Sequence, residues 1–152
     1  MPVKKLKNFL DEKKIKYVLV THSPAYTAQE IAATAHIRGK QVAKTVMFIA
    51  DGKIAMAVVP AVCKVDFDLL KKAAGAKKVE LASEEQFKDM FPDCDVGAMP
   101  PFGNLYGMAV YADKKLEEDK EIAFNAGNHT ELIRLAYSDY IKLVKPTLVD
   151  IC

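Results

Sequence analysis

Gln41-Val42-Ala43-Lys44-Thr45-Val46-Met47-Phe48-Ile49-Ala50, followed by Asp51-Gly52 and then Lys53-Ile54-Ala55-Met56-Ala57-Val58-Val59-Pro60, is the stretch on which the fold turns. Two apolar runs of strand length are joined by Asp-Gly, a dipeptide suited to a tight hairpin because both central residues need φ > 0. Neither run alternates cleanly between apolar and polar residues, which predicts strands in a sheet covered on both faces. A single charge, Lys44, interrupts the first run. By alternation it shares a face with Val46 and Phe48, while Thr45, Met47 and Ile49 point the other way. Taken alone, such a lysine either snorkels from a strand end or awaits an anionic or carbonyl partner.

Outward from the hairpin, the chain reads as a mixture of short strands and amphipathic helices. Val3, Leu6, Phe9 and Leu10 fall at helical spacing, with Lys4, Lys5, Lys7, Asp11, Glu12 and Lys13 around the rest of the turn. The basic outer face is either simply solvated or a surface that touches phosphate. Tyr17 to Thr21 forms a strand ended by His22-Ser23-Pro24. Thr27-Ala28-Gln29-Glu30 is a capping box opening a helix through Ile31, Ala32 and Ala35, and Gly39 closes the connection to the hairpin.

Beyond Pro60, Asp66 is the expected N-cap of a helix over 67–74, with Gly75 at its left-handed end. Lys78 to Leu81 is a short strand, and Ser83-Glu84-Glu85-Gln86 is a second capping box whose helix Pro92 stops. Residues 95–104 are turn-rich. Gly107 to Ala112 and Glu121 to Asn125 read as strands around a charged connection. Leu132 to Ala136 fits a strand or a helical turn, and Ser138 is the expected cap of a last helix ended by Lys145-Pro146. These elements predict a single mixed α/β domain over residues 1–152. No GxGxxG or P-loop suggests a nucleotide cofactor.

Composition narrows the function classes. The 152 residues suit one domain, and the net charge of +2 lacks the strong basic excess of a duplex-wrapping protein, which predicts no DNA partner. No apolar run reaches membrane-spanning length and the N-terminus has no signal-peptide core, so a cytosolic protein without a membrane partner is expected. Three scattered cysteines (Cys63, Cys94, Cys152) and three scattered histidines (His22, His36, His129) show no metal-ligand spacing, and no metal or cofactor is expected. Ser23, Ser83 and Ser138 sit at caps or turns with no GxSxG elbow. The loop Gly97-Ala98-Met99-Pro100-Pro101 is either a surface connection or a rigid cradle whose amides face an oxyanion. His129, after a Gly-Asn turn, either orients a substrate or caps the following segment.

Several of these pieces, in order, resemble the YbaK-type family: the editing domain of bacterial prolyl-tRNA synthetases and its free-standing relatives, which hydrolyse mischarged aminoacyl-tRNA. The matching residues are His22-Ser23-Pro24-Ala25; Val42-Ala43-Lys44-Thr45-Val46; Ala74-Gly75-Ala76-Lys77-Lys78-Val79-Glu80; Gly97-Ala98-Met99-Pro100-Pro101, which fits the family's GxxxP loop; Asn125-Ala126-Gly127-Asn128-His129; and Leu148-Val149-Asp150-Ile151. The resemblance implies a compact α/β fold around a twisted, mixed, barrel-like sheet flanked by helices. It also implies a pocket between Lys44, the GxxxP loop and the His129 turn. Lys44, Gly97 and Pro101 fall on the family's catalytic positions, and His22, Thr45, Ala98, Met99, Gly127 and His129 on substrate-binding ones. The implied partner is the acceptor end of a mischarged tRNA, with an aminoacyl-tRNA synthetase as a further partner. In relatives that remove cysteine the last turn resembles Gly-Gly-Lys-Arg; here it is Gly127-Asn128-His129-Thr130, which resembles branches acting on alanine, serine or threonine. A small residue is therefore expected, with cysteine second. The rival readings are a non-catalytic module that binds aminoacyl-tRNA ends or a synthetase, and a small-molecule esterase.

Overall fold

The computed structural model describes residues 4–22, 41–95 and 97–152. The expected capping box at 27–30 and its helix, together with Val3, Ser23, Pro24, Ala25, His36 and Gly39, lie outside the described residues.

The hairpin forms as its sequence dictates. Strands β1 (Tyr17–Thr21), β2 (Ala43–Ala50) and β3 (Lys53–Pro60) come first in chain order, and β2 pairs with β3 in register Met47–Met56. Asp51 and Gly52 take φ of 49° and 84°, the left-handed values such a turn demands. Both faces are covered. Ala43, Met47, Met56 and Val58 enter one apolar cluster, whereas Phe48, Ala55, Ala57 and Val59 enter a second on the opposite face. This two-sided burial is why neither run alternates.

Each cluster has its own cover. Helix α1 (Lys4–Glu12) buries Leu6 and Leu10 in the first cluster. Helix α2 (Phe67–Ala74) buries Leu70 in the second, beside Phe48. Each such side chain contributes about 1.5–3 kcal/mol relative to exposure. Asp66 Oδ1 accepts hydrogen bonds from the amides of Asp68 (2.9 Å) and Leu69 (3.1 Å), and Gly75 closes α2 at φ 63°. Strand β4 (Val79–Leu81) and helix α3 (Glu84–Phe87) follow, the latter opened by Ser83 N donating to Gln86 Oε1 at 2.7 Å. A 3-10 turn, Lys88–Met90, ends this segment ahead of Pro92.

Strand β5 (Val110–Asp113), β6 (Glu121–Asn125), β7 (Glu131–Ala136), helix α4 (Tyr137–Val144) and β8 (Thr147–Val149) complete the order. The five-stranded sheet runs β4-β2-β3-β5-β8; its β2 pairs are antiparallel, and its β3–β5 and β5–β8 pairs parallel. A three-stranded antiparallel sheet runs β1-β7-β6. Among the described residues the two sheets are joined by one parallel bridge, Val42 with Ala123, and not closed into a barrel.

Three local expectations are revised. Residues 132–136 are strand, settled by pairing on both sides with β1 and β6. Ser138 lies within the first turn of α4, whose N-cap is Ala136; Tyr137 N donates to Lys120 O at 2.8 Å, so the preceding strand satisfies an amide that a serine cap would otherwise serve. Gly107, Met108 and Ala109 are not strand. Gly107 instead caps a 3-10 turn, Gly103–Tyr106, at φ 72°.

Candidate active site

The site begins at an interruption in strand pairing. The C-terminal half of β2 pairs with β4 through Phe48, Ile49 and Ala50, while Val42, just before β2, bridges to β6. Between them, among the described residues, 44–46 have a ladder partner only on the β3 side. On that open edge Thr45 Oγ1 donates to Met99 O at 3.2 Å, which seats the GxxxP loop against the strand. Lys44 is the preceding residue, half-buried, paired with Val59 in the ladder, and on the opposite face of β2 from Thr45 by alternation. Among the described residues its ammonium makes no ion pair.

The loop is also clamped to the turn between β6 and β7. Gly127 N donates to Ala98 O (3.0 Å) and Asp95 N to Gly127 O (2.8 Å). A Cβ built on Gly97 would lie 3.8 Å from His129 Cε1, so the imidazole edge faces the loop glycine. His22 is buried, and its amide donates to Thr130 O at 2.8 Å, carrying the end of β1 to the same turn. Thr45, Gly97, Ala98, Met99, Gly127, His129 and the His22 backbone are thus brought to one place.

Pro100 and Pro101 have no N–H, and Ala98 N is committed to Asp95 O at 3.0 Å. Gly97, held at φ 86°, is exposed and directs its amide to Met99 Sδ at 3.3 Å, a weak acceptor that a carbonyl oxygen readily replaces. Among the described residues the cradle therefore narrows from a run of amides to Gly97 N–H and Met99 N–H, the two loop amides with no oxygen partner. The prolines act as anchors. Phe102 N donates to Pro100 O, and the buried Tyr140 hydroxyl donates to Pro101 O, both at 2.8 Å.

Three contributors were not singled out from sequence. Asp95 supplies the backbone clamp to Gly127. Asn128 Oδ1 accepts from Thr130 N (2.9 Å), Thr130 Oγ1 (3.1 Å) and Glu131 N (2.9 Å), which fixes the turn that carries His129. An Asn after Gly between two strands is the signal that pointed there. Tyr140 is the third, and nothing local marks it. Glu131 accepts from Asn128 Nδ2 at 3.0 Å; burial pushes its carboxyl up, but hydrogen bonding outweighs that and holds it below the usual range.

Cys94 adjoins the loop, yet burial pushes its thiol up, with a lowering by the Tyr106 hydroxyl (3.7 Å) that does not compensate. It is a protonated thiol at neutral pH, a weak nucleophile. Among the described residues no three His, Cys, Asp or Glu side chains cluster as metal ligands would. A cavity of 630 Å³ lies at the other end of the hairpin, lined by Asp51, Lys53 and Tyr111, about 20 Å from Thr45 by strand rise. Its carboxylate is already spent on the amides of Lys77 and Lys78, which leaves little chemistry there.

The aminoacyl-tRNA editing domain matches residues 22–143. The prolyl-tRNA editing protein ProX of Acetoanaerobium sticklandii is 29% identical over 143 residues, covering 90% of this chain and 86% of that protein. The multifunctional Ser/Thr-tRNA deacylase ProXp-y of Escherichia coli K12 is 33% identical over 96 residues, covering 62% of this chain and 57% of that protein. A crystal structure of a hypothetical protein superposes with a TM-score of 0.87 at 19% identity, covering 97% of this chain and 99% of that one, a likeness of fold. The loop seated on β2, its clamp to the 126–130 turn and the match across most of the chain place this protein in the aminoacyl-tRNA editing domain family.

Proposed function

We propose that this chain is a trans-editing hydrolase, deacylating mischarged aminoacyl-tRNA at the ester on the 3′-terminal adenosine. The observation that carries the reading is the junction itself. Hydrogen bonds gather Thr45, the 97–101 loop and the 126–130 turn, segments far apart in sequence, around a glycine whose amide, among the described residues, is directed at a thioether.

In this mechanism Gly97 N–H, with Met99 N–H beside it, stabilises the oxyanion that develops as water attacks the ester carbonyl. Met99 Sδ is displaced as the carbonyl enters. Lys44, one residue from Thr45, supplies positive charge to the carbonyl or the terminal phosphate. His129, facing Gly97, and His22 orient the substrate, and Pro101 holds the loop through its bond from Tyr140. A positioned water or the neighbouring ribose hydroxyl completes proton transfer, with no metal called on.

The favoured amino acids are alanine, serine and threonine, with cysteine second, on the strength of His129 in the last turn. An apolar pocket discriminates a methylene by only about 1–3 kcal/mol, so the specificities overlap. The site of action is cytosolic, and a synthetase is the further partner; among the described residues no helix is long and apolar enough to cross a membrane. Release of Ala, Ser, Thr and Cys from matched tRNAs by wild type and Lys44→Ala tests the reading. The variant should lose about 10²- to 10³-fold in kcat with its fold intact. Full activity in Lys44→Ala would remove the lysine from the mechanism, a preference for Cys would reverse the substrate order, and protection of the ester by wild type would make the chain a binding module.

A further inference from the structure

Three lysines from two distant segments of the chain line one depression of 290 Å³: Lys13 just beyond α1, Lys142 in the last turn of α4, and Lys145 immediately after it. Phe9, Asn104 and Leu143 complete the lining, and no acidic residue is among them. All three lysines are exposed, and among the described residues none has a salt-bridge partner, whereas Lys78, Lys88, Lys114 and Lys115 each do. Bringing three uncompensated cations together costs repulsion, which an arriving polyanion relieves.

The walls of the depression are tied to the segment that carries the 97–101 loop. Asn104 lies three residues beyond Pro101 and donates from Nδ2 to Leu143 O at 3.4 Å. Tyr140, on α4, donates to Pro101 O, and the Phe9 ring meets Phe102 edge-on with centroids 6.3 Å apart. Lys5, one turn before Phe9 on α1, sits 4.8 Å over the Tyr106 ring. Lysines beside an aromatic ring are the composition of a single-stranded nucleic-acid track, where phosphates meet ammonium groups and a base meets the ring.

We propose that this depression seats backbone phosphates of the RNA strand that leads into the active site, with Lys13, Lys142 and Lys145 as the phosphate ligands and Phe9 as the base platform. The proposal rests on the editing reading for its choice of RNA. The surface holds the strand while the 97–101 loop receives the ester, so its loss weakens long substrates and leaves the chemistry untouched. Lys142 and Lys145 also complement the C-terminal dipole of α4, and that structural role affects stability alone.

The test uses the full chain carrying Lys13→Ala, Lys142→Ala and Lys145→Ala together. Binding of uncharged tRNA is read by fluorescence anisotropy across a salt series, and deacylation is read on both aminoacyl-tRNA and 3′-aminoacyl-adenosine. The expected result is at least about tenfold weaker tRNA binding, with the slope of log Kd against log salt reduced by about 2–3, near 0.7–0.9 per lost contact. KM for aminoacyl-tRNA should rise while turnover of 3′-aminoacyl-adenosine is unchanged. Unchanged tRNA affinity and slope would overturn the proposal, as would equal loss on both substrates. An equal effect from Lys71→Ala with Lys72→Ala, on α2, would also overturn it by showing that any surface charge suffices. Should wild type hydrolyse neither ester, the editing reading falls, while the binding series still decides this surface.

Discussion

At the residue scale, Gly97 carries a backbone constraint on the site. Its φ of 86° is open to glycine and costly for other residues, while the space at its Cβ is ordinary contact with His129. Gly97→Ala is therefore expected to lose about 1–2 kcal/mol through backbone strain, not through a clash, or to relax the loop and misdirect its amide. Urea denaturation beside deacylation rates separates these outcomes. Thr45→Val removes the side-chain bond that joins β2 to the loop, with an expected stability loss of about 0.5–1.5 kcal/mol and a larger proportional fall in kcat/KM. Comparable Tm for the two proteins with an unchanged rate would show that the loop holds its place without that bond. Lys44 marks how far a sequence reaches at this scale. Its half-burial was readable from the apolar run around it, but that its neighbour Thr45 would meet Met99, fifty-four residues on, was not.

At the element scale, the caps and the hairpin were legible because their signals are local. Asp66, Gly75, Asp51 and Gly52 act within a few residues of themselves, through side-chain bonds to nearby amides or through φ. Asp66→Ala should cost about 1 kcal/mol by chemical denaturation, as typical for an N-cap. Asp51 does more than turn the chain: its carboxylate accepts from Lys77 N and Lys78 N, binding the hairpin tip to the start of β4. The less legible elements were those whose termini are served by another strand. Ser138 looked like a cap because the sequence does not show that Lys120 O already takes the Tyr137 amide. Strand β8 went unrecognised for the same reason, since three residues acquire strand character only by lying parallel to β5. Gly103 is a related case. A Cβ there would approach Val110 Cγ2 at 2.8 Å and Met108 Cγ at 2.9 Å, a close approach imposed by a segment that folds back on it.

At the scale of the whole molecule, the core and the loop are coupled through Tyr140. Its ring is fully buried against Phe102 and its hydroxyl holds Pro101 O, and burial pushes its pKa far above the ordinary phenol value. Tyr106 is raised in the same direction, chiefly by burial and further by Cys94. The native state thus keeps protons that the unfolded chain releases near pH 10. The stabilisation is complete below that pH and is lost as pH rises beyond it, at about 1.4 kcal/mol per pH unit for the fully buried Tyr140 and less for the half-buried Tyr106, whose charge water screens. Denaturation across pH 8–11 should show this decline, and Tyr140→Phe should flatten it by one group. The same variant is expected to lose about 1–3 kcal/mol at neutral pH, since Pro101 O is left buried without its donor. An unaltered alkaline slope in Tyr140→Phe would assign the effect elsewhere.

The order of the motifs, the two-sided hairpin, the ends of α2 and the family were determined by the sequence alone, because each rests on periodicity, on neighbours a few residues apart, or on matched residues in series. Only the tertiary structure decided which loop amides remain available, that Asp95 and Gly127 clamp the loop, that Tyr140 anchors it, and that Lys13, Lys142 and Lys145 line one depression. Apart from the loop's own amide bonds, which are local, these properties arise from hydrogen bonds and packing between segments thirty to more than a hundred residues apart. No local pattern of side chains encodes such distances.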